Sequence, residues 1–398
     1  MSVQDASSSA STLGVGMVGY SFMGAAHSHA WRNVGRVFDL PLDVRMSVLC
    51  GRRRGAATEA ARQFGWAAVE TDWKALVARD DVRLVDICTP GSSHADIALA
   101  ALAAGKHVLC EKPLANTVAE ARAMVEAART ARAAEVRTMV GFNYRRVPAV
   151  TLARQFVADG RIGTVRHVRA QYLQDWIVDP EFPLVWRLRA EEAGSGALGD
   201  IGAHIVDLTQ FVSGQRMTGV NALLETFVKR RPLPSASSGL SASGGTETGE
   251  VTVDDAAVFF GRLDGGAIAT YEATRFATGR KNSIRVEVNG SAGSLTFDLE
   301  RLNELEFYDG TGDAAGEGFR RILVTEPTHP YLGAWWPPGH TLGWADTFTH
   351  EVKDLVEAVA AGTDPLPSFE DGLQVQLVLD AVQRSAAEHG CWTEVEAP

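Results

Sequence analysis

Short apolar runs alternate with amphipathic or alanine-rich stretches over residues 13–147 of the chain. Apolar runs of about four to eight residues bounded by turn residues are typical of buried strands, and apolar residues repeating every three or four positions indicate helices. Strands that alternate with helices predict a doubly wound α/β domain. The runs that predict strands are Leu13–Gly19, Val44–Cys50, Val82–Cys88, Lys106–Cys110 and the segment that begins at Thr138.

The segments between these runs predict the helices of the domain. An Ala- and His-rich stretch follows Gly24, and Gly105 suits the residue that follows a helix, because glycine readily adopts the left-handed conformation found there. The other predicted helices are Gly55–Gly65, Asp72–Ala78, Ala95–Ala104 and Val118–Ala134.

The pattern changes after Pro148. A helix is predicted at Ala149–Asp159, and Val165–Leu173 then alternates polar and apolar residues, as in a half-buried antiparallel strand. Residues 148–398 therefore predict a second, α+β domain with a mainly antiparallel sheet. Further strands are predicted at Val220–Val228, Val251–Leu263, Ala267–Thr274, Ser283–Val288 and Ser294–Asp298, and helices at Thr347–Ala361 and Asp371–Glu388.

Some segments show neither pattern. Residues 1–12 have neither the basic nor the apolar region of a signal peptide and are expected to form a disordered tail. The tract Ser235–Thr248 is poor in apolar side chains and is expected to be a mobile loop. His329–Gly343, rich in Trp, Pro and Gly, is expected to be an ordered surface loop. No apolar run reaches the ~18 residues of a membrane span.

Composition and charge exclude several classes of protein. The net charge of -11 without a compensating basic tract argues against a nucleic-acid partner. The 4 cysteines form no CxxC pair and no zinc-binding spacing, so neither disulfides nor a metal site is expected. Free thiols that behave as small hydrophobic groups fit a reducing cytoplasm.

A charged motif, Glu111-Lys112-Pro113, comes directly after a predicted strand. Ligands of open parallel sheets bind in the crevice outside the carboxyl ends of the strands, and Pro113 disfavours helical backbone at Lys112. Lys112 is therefore a candidate site residue, although a solvated strand end would show the same pattern.

A glycine-rich turn follows the first strand. The pattern G-x-G-x-x-G occurs at Gly14, Gly16 and Gly19, but it lies inside the strand rather than after it. Counting from the strand end gives Gly19-x-Ser21-x-x-Gly24, in which Ser21 replaces the glycine that lets the backbone approach a pyrophosphate. Because the following helix offers its N-terminus to an anion, the turn is a candidate dinucleotide site.

The end of the second strand bears on the choice of cofactor. A site that prefers NAD usually has an acidic residue there to bind the ribose hydroxyls, whereas this chain has Gly51-Arg52-Arg53-Arg54. An arginine suits a 2′-phosphate, so the sequence slightly favours NADP over NAD. The alternative is that the arginines only coat the next helix.

Asp200, His204 and Asp207 follow a glycine-rich segment, at a spacing that would place them on one face of a helix. A carboxylate one turn before an imidazole can orient the ring and raise its pKa, which suits a general base near neutral pH. The alternative is a structural histidine, with Asp200 as a helix N-cap.

Together the motifs resemble the Gfo/Idh/MocA family (glucose–fructose oxidoreductase, inositol dehydrogenase, rhizopine catabolism). The resemblance runs from about residue 13 to residue 390 and is greatest to bacterial levoglucosan-type sugar dehydrogenases. It implies a Rossmann domain, an open-faced sheet domain, and nicotinamide-linked oxidation of a sugar, anhydrosugar or cyclitol hydroxyl, or reduction of the keto form. It is carried by Gly19–Gly24, Cys88–Pro90, Gly105–Leu114, Phe142–Arg146, Tyr172–Trp176 and Gly194–His204.

The resemblance also implies roles for single residues. Lys112, Asp200 and His204 would form the catalytic set, and the Lys112–Pro113 bond is often cis in the family. For hydride transfer coupled to proton loss, His204 is the expected base, Lys112 would stabilise the alkoxide, and Asp200 would orient both. Lys112 is the alternative base.

Two sets of binding residues are expected on the same grounds. Cofactor contacts are expected from Gly19, Ser21, Phe22, Met23, Gly24, Gly51, Arg52, Arg53, Thr89, Pro90, His94, Glu111, Lys112 and Asn143. Substrate contacts are expected from Lys112, Tyr144, Gln174, Asp175, Trp176, Trp186, Asp200, His204 and Arg275.

The family also implies a homodimer or homotetramer paired through the sheet, with no membrane partner. Two alternatives keep the fold and change the function. One is an enzyme that recycles a tightly bound cofactor, such as a glycosidase or epimerase. The other is a non-catalytic ligand sensor, against which the intact set of Lys112, Asp200 and His204 argues.

Overall fold

The computed structural model describes residues 12–238, 241–312 and 314–398. A parallel sheet forms the N-terminal domain, as the alternation of strands and helices predicted. Its strands are β1 (Thr12–Val18), β2 (Asp43–Cys50), β3 (Ala68–Glu70), β4 (Leu84–Ile87), β5 (His107–Glu111) and β6 (Thr138–Gly141). Their order is β3-β2-β1-β4-β5-β6, so the direction of winding reverses between β1 and β4, where ligands of such sheets bind.

Helices connect these strands. A capping box at Thr117 and Glu120 begins the last of them, and Gly65, with a φ of 89°, ends the second in the left-handed conformation. Strands β4 and β5 are buried at every position, as expected of central parallel strands. The helices are α1 (Phe22–Val37), α2 (Arg54–Phe64), α3 (Trp73–Val77), α4 (His94–Ala103) and α5 (Val118–Arg132).

The C-terminal domain is built on a mixed, mostly antiparallel sheet, which confirms the predicted α+β class. Its further strands are β7 (Val165–Leu173), β8 (Met217–Glu225), β9 (Arg230–Ser238), β10 (Ser241–Glu250), β11 (Ala256–Leu263), β12 (Ile268–Thr274), β13 (Ser283–Gly290), β14 (Gly293–Asp298), β15 (Glu304–Asp309), β16 (Arg320–Leu323) and β17 (Thr393–Glu394). In the described residues the sheet order is β16-β15-β14-β13-β7-β12-β11-β8-β17, with β7 and β12 parallel.

Helices cover one face of this sheet, and two more return towards the N-terminal domain. The helices are α6 (Pro148–Ala158), α7 (Ala190–Ala193), α8 (Ala203–Ser213), α9 (Asp346–Ala361) and α10 (Phe369–Ala387). Helices α6 and α8 lie on the sheet, α9 lies against α1, and α10 lies against α5 and β8. None of the helices in the described part of the chain is long and apolar enough to cross a membrane.

Two expectations for the second domain are wrong. The tract expected to be a mobile loop is part of the antiparallel pair β9–β10, because ladder hydrogen bonds need no apolar side chains and Leu233 packs beside Leu184. The strand expected at Val251–Leu263 begins only at Ala256, because Asp254 accepts backbone hydrogen bonds from the glycine-rich segment before α8. The disordered tail expected at residues 1–12 lies outside the described residues except for Thr12, which belongs to β1, and residues 239–240 and 313 also lie outside them.

Candidate active site

The turn after β1 is shaped to admit an anion. Gly19 has a φ of 104°, and an added Cβ would lie 2.6 Å from the Cys88 carbonyl oxygen. Gly24 is equally constrained, because its Cβ would lie 2.3 Å from the Gly19 oxygen. Ser21 precedes α1 without capping it, so the first N–H groups of a 16-residue helix face outward unpaired. This cradle fits a dinucleotide pyrophosphate, and Gly14 and Gly16 lie inside β1 as the sequence indicated.

The end of β2 carries positive charge at the surface. Gly51 packs against Tyr20, whose ring a Cβ would overlap, and Arg52 and Arg53 are exposed. No acidic residue ends β2 itself. On the other side of the turn, Phe22 is 41% exposed and stacks on Trp344, with 5.5 Å between ring centroids. The stacked rings of Phe22 and Trp344 and the exposed arginines therefore border the turn that follows β1.

Three residues expected to contact the cofactor are instead tied to the protein. His94 is buried between the carbonyl oxygens of Thr89 and Pro113, at 2.8 and 3.0 Å, and so joins the loops after β4 and β5. The Asn143 side chain donates to Thr347 Oγ1 at 2.9 Å and is 3% exposed. Glu111 is also buried and bonded within the protein, as described below. Both polar atoms of the His94 and Glu111 side chains, and the amide nitrogen of Asn143, are bonded within the protein.

Other expected cofactor residues remain open to the crevice. Thr89 and Pro90 follow β4 and are partly exposed, and the Thr89 hydroxyl accepts from Ser93 at 2.8 Å. Met23 is partly exposed in the first turn of α1. These positions line the reversal point between β1 and β4.

Lys112 meets Asp200 across the domain boundary. The Nζ atom donates to the Asp200 backbone oxygen at 2.6 Å and lies 3.4 Å from Oδ1, although the residues are 88 positions apart. The Lys112–Pro113 bond is cis, as the family resemblance implied. Asp200 lies in a π-helical turn, Leu198–Gly202, rather than at a helix N-cap, so the expected straight helical face from Asp200 to His204 is wrong.

Asp200 is held as an anion by the cations around it. Burial alone would raise the pKa of Asp200, but the charges of Lys112, Arg275 and Arg187 outweigh it and lower the pKa to about 2. Arg275 Nη1 lies 3.6 Å from Asp200 Oδ2. Arg275 is itself fully buried and donates to the Asp254 oxygen at 3.1 Å, which corrects its expected role as a substrate contact. It acts on the site through Asp200.

His204 is a buried, neutral imidazole. Its ring lies edge-on to Tyr144, with 4.8 Å between centroids, and Nδ1 is buried without a hydrogen-bond partner in the described residues. Burial, followed by the Lys112 charge, lowers its pKa well below 6.5, and the charge of Asp200 only partly opposes them. The charge of Asp200 does act to raise the pKa of His204, as expected, but the net pKa is lowered because desolvation dominates. The carboxylate of Asp207 is turned away and pairs with Arg145 at 2.5 and 2.8 Å.

A chain of polar groups leads away from His204. The Tyr144 hydroxyl lies 3.0 Å from that of Tyr172 and accepts from Trp344 Nε1 at 3.3 Å. Asn282 Oδ1 accepts from Tyr172 at 2.7 Å and from Gln174 at 2.8 Å. Gln174 in turn accepts from Trp176. Tyr144 and Tyr172 are buried, whereas Gln174 and Trp176 are partly exposed. Trp344 and Asn282, which the sequence did not single out, are also partly exposed. The set offers hydroxyl and amide groups beside aromatic faces.

The remaining expected substrate residues differ in how free they are. Asp175 is bonded to Lys281 at 2.8 Å and to the Gly279 N–H at 3.0 Å. Trp186 is partly exposed, and the Arg187 guanidinium lies over its ring at 4.4 Å. Arg187 has no hydrogen bond or ion pair from its side chain to any described residue. Arg187 is not among the residues expected from the sequence, although its position after Trp186 was a signal.

A buried charged cluster lies beneath Lys112. His27 Nδ1 lies 3.0 Å from both carboxylate oxygens of Asp86, and Nε2 lies 2.9 Å from Glu111 Oε1. Trp31 donates to Asp86 Oδ2 at 2.7 Å. The other Glu111 oxygen accepts from the Lys112 N–H at 3.0 Å. Burial lowers the pKa of His27, but the charge and hydrogen bonds of Asp86, together with the contribution of Cys88, outweigh it and raise the pKa well above 6.5.

Within the described part of the chain, this cluster contains the one group of side chains whose ligand atoms lie close enough together to bind a metal ion. His27, Asp86 and Cys88 offer ligand atoms within 4.8 Å of one another. A metal ligand needs a free imidazole lone pair and a thiolate. Both His27 nitrogens already face carboxylates, and burial raises the pKa of the Cys88 thiol. The geometry is that of a hydrogen-bonded network.

Comparisons with known proteins cover nearly the whole chain. Residues 13–142 match the model of the oxidoreductase family with an NAD-binding Rossmann fold, and residues 150–296 match the GFO/IDH/MocA C-terminal domain. Levoglucosan dehydrogenase of Pseudarthrobacter phenanthrenivorans is 41% identical over 388 residues, which cover 96% of this chain and 98% of that protein.

Solved structures agree in fold. An oxidoreductase domain protein from Kribbella flavida superposes with a TM-score of 0.93 at 63% identity, over 97% of this chain and 100% of its own. A levoglucosan dehydrogenase in complex with NADH and levoglucosan superposes with a TM-score of 0.91 at 40% identity, over 97% of this chain and 99% of its own.

Proposed function

This chain belongs to the GFO/IDH/MocA oxidoreductase family, as its motifs indicated, and we propose that it oxidises a secondary hydroxyl of a sugar, anhydrosugar or cyclitol. The observation that carries the proposal is the contact of Lys112 with Asp200 beside the buried, neutral His204, at the carboxyl end of the parallel sheet. This arrangement supplies a proton acceptor and a cationic donor at one place.

His204 is the proposed base. A carbinol must lose its hydroxyl proton as its hydrogen leaves carbon, and a neutral imidazole can accept that proton. His204 is neutral at physiological pH and has no hydrogen bond to the described protein that would compete. Lys112 would donate to the same oxygen and stabilise the developing alkoxide, while Asp200 holds the Lys112 Nζ atom in place.

The nicotinamide cofactor, when bound, accepts the hydride. Gly19 and the N-terminus of α1 would hold its pyrophosphate, because the turn leaves no room for a Cβ and the first N–H groups are free. Phe22, Thr89 and Pro90 would border the rest of the nucleotide at the reversal of the sheet. This cofactor is expected to be a dissociable NAD or NADP.

The choice between NAD and NADP is proposed to depend on Arg52 and Arg53. Both side chains are exposed after β2, which itself ends without an acidic residue, and this supports NADP. The similar levoglucosan dehydrogenase that was solved with NADH supports NAD. We therefore propose that both cofactors are used and that the double variant R52A/R53A loses affinity for NADP alone.

The proposed substrate is a neutral ring bearing several hydroxyls. Tyr144, Tyr172, Gln174 and Asn282 present hydroxyl and amide groups around His204, and Trp176 adds an aromatic face. Sugar rings combine apolar faces with hydroxyl edges, and Trp and Tyr match both. The similarity to levoglucosan dehydrogenase makes 1,6-anhydrosugars the first compounds to test.

The test is turnover by the purified full-length protein. NAD⁺ and NADP⁺ are each supplied with levoglucosan, other pyranoses and cyclitols, and absorbance of the reduced cofactor is followed. Steady formation of reduced cofactor with at least one polyol is expected. Binding of nucleotide without turnover of any polyol would contradict the proposal. Cofactor retained through extensive dialysis would favour the recycling enzyme instead.

We also propose self-association through the open face of the nine-stranded sheet. Leu223, Val258, Phe260 and Ile268 project from this face and are between 47% and 69% exposed. Isolated apolar side chains on a surface are ordinary, but a contiguous group on one sheet face is typical of an interface. A cytoplasmic location is proposed on the free, buried thiols of Cys50, Cys88 and Cys110.

A further inference from the structure

Two successive hydrogen bonds, through Glu111, link a fully buried imidazole to the backbone of Lys112. His27, on α1, is 1% exposed and has a carboxylate against each ring nitrogen: Asp86 from β4 and Glu111 from β5. An imidazole that faces an acceptor on both sides satisfies both only when both nitrogens carry hydrogen. The geometry therefore describes an imidazolium between two carboxylates.

Glu111 passes this interaction on to Lys112. One carboxylate oxygen accepts from His27, and the other accepts from the backbone N–H of Lys112 at 3.0 Å. Glu111 thus holds the Lys112 backbone, while the Asp200 backbone oxygen, 2.6 Å from Nζ, holds the end of the Lys112 side chain. A side chain that must donate to one reacting oxygen needs such fixing, because a misplacement of about 1 Å can cost roughly 100-fold in rate.

We propose that His27 is a positioning residue for Lys112: its positive charge fixes the orientation of the Glu111 carboxylate, so that Glu111 holds the Lys112 backbone in the productive place. The proposal rests on the proposed function only for its effect on turnover. Without the His27 charge, Glu111 would be a buried carboxylate with no cation against it, which favours rotation of its side chain towards another donor. Rotation breaks the bond to the Lys112 N–H.

The surroundings of His27 fit this role. Trp31 of α1 and the Cys88 thiol both donate to Asp86, and Phe348 of α9 packs on the His27 ring at 5.3 Å. Glu351 of α9 and Cys110 of β5 are further titratable groups beside the cluster. Burial raises the pKa of Glu351 to about 8 and the pKa of the Cys110 thiol well above its usual value, so both are uncharged at neutral pH. The carboxylates in contact with the His27 nitrogens are those of Asp86 and Glu111.

The test compares H27Q, E111Q and the double variant H27Q/E111Q. H27Q should lower kcat about 30-fold with KM values changed less than about threefold, because Lys112 is misplaced while the binding groups remain. E111Q keeps an acceptor for the Lys112 N–H without a charge, so it should stay within about fivefold of the wild-type kcat. The double variant should recover to the level of E111Q, since the carboxylate beside the Lys112 N–H is gone and Asp86 keeps its donors Trp31 and Cys88.

The control variant is H350Q. His350 is another fully buried histidine, bonded to Trp335 Nε1 at 2.8 Å and to the Arg146 oxygen at 2.9 Å, with no link to Lys112. It should lose stability without the selective loss of kcat. An H27Q enzyme with wild-type kcat, an equal kcat loss in H350Q, or a double variant no better than H27Q would each overturn the proposal.

A second readout does not need turnover. Trace acetylation of Lys112, quantified by mass spectrometry against the exposed Lys74, reports whether Nζ is still held by Asp200. H27Q should increase the relative labelling of Lys112 severalfold, and H27Q/E111Q should restore it. If the wild type turns over no polyol, the proposed function fails, and the labelling still decides on His27. Unchanged labelling in H27Q would overturn the positioning role.

Discussion

The ammonium of Lys112 reaches across the domain boundary to the backbone oxygen of Asp200, 2.6 Å away, and stands 3.4 Å from its carboxylate. The two residues come from the end of β5 and from the π-helical turn before α8. Each domain alone therefore carries half of the proposed catalytic set, and the set exists only when the domains are packed together.

Removal of the Lys112 ammonium should abolish turnover and leave the nucleotide bound. K112A should lower kcat at least about 1000-fold, because both the charge and the donor to the reacting oxygen are lost. The measurement is steady-state kinetics together with a fluorescence titration with nucleotide. K106A is the matched control, since Lys106 precedes the same strand and, among the described residues, its Nζ donates only to the Arg79 backbone oxygen. Substantial activity in K112A would show that another group does this work.

The pH dependence should show that His204 is neutral far into the acid range. Burial and the Lys112 charge lower its pKa well below 6.5, so the acid limb of kcat for oxidation should lie below pH 6.5. In H204Q that limb should vanish, with kcat reduced about 100-fold or more. An acid limb above pH 7 that persists in H204Q would move the base to Lys112.

The same shift predicts a change in stability. Because the folded pKa of His204 lies below the unfolded value, the unfolded state binds the proton first, and stability falls as the pH drops below about 6.5. H204Q should lose less stability than the wild type between pH 7 and pH 5. Thermal unfolding at both pH values measures this difference.

Arg187 should contribute to substrate affinity rather than to the rate. Its guanidinium lies over Trp186 near Asp200 and makes no hydrogen bond or ion pair with the described residues. R187M should raise the KM for the polyol about 10- to 100-fold, as expected when a charged donor to a hydroxyl is lost, with a smaller change in kcat. R189M is the control, since Arg189 pairs with Glu192 at the surface. A fall in kcat at unchanged KM would contradict this role.

Charge placed on the open sheet face should separate the subunits. Val258 is 51% and Phe260 is 53% exposed on β11, and Val258 lies opposite Leu223 of β8. V258E/F260E should shift the mass in solution to that of the monomer, because buried unpaired carboxylates would oppose the interface. W336E alters a similarly exposed aromatic residue, 59% exposed, in the segment between β16 and α9 rather than in the sheet, and should leave the mass unchanged. A wild-type monomer would refute the interface.

Glu351 should destabilise the protein at alkaline pH. Burial, followed by the charge of Glu111, raises its pKa from 4.5 to about 8, and neither of its oxygens has a hydrogen bond in the described residues. The group favours folding below pH 4.5, and this contribution is lost as the pH rises through 8. E351Q should therefore be more stable than the wild type at pH 9, by at most about 5 kcal/mol.

The difference between E351Q and the wild type should shrink towards pH 5, where Glu351 is protonated in the folded state. Urea unfolding at both pH values measures it. The control is E357Q on the same helix, whose side chain is 44% exposed and pairs with Lys353. Equal effects of E351Q and E357Q would mean that Glu351 reaches water.

Local patterns determined the elements of both domains. Apolar spacing, caps and glycines within a few residues of each element predict β2, β4 and α5. The hairpin β9–β10 was missed because its pairing depends on backbone hydrogen bonds, which leave no apolar pattern. The motif Glu111-Lys112-Pro113 could be found because the apolar strand and the proline that ends it are adjacent in the chain.

Tertiary structure decided the charges and partners of the site. The sequence by itself determined that Lys112, Asp200 and His204 are present and that a nucleotide turn precedes α1. The sequence could not determine that His204 has a lowered pKa or that Arg275 is fully buried beside Asp200. Nor could it determine that His27 lies between Asp86 and Glu111. The physical reason is that desolvation and charge interactions depend on distances between segments that only folding brings together.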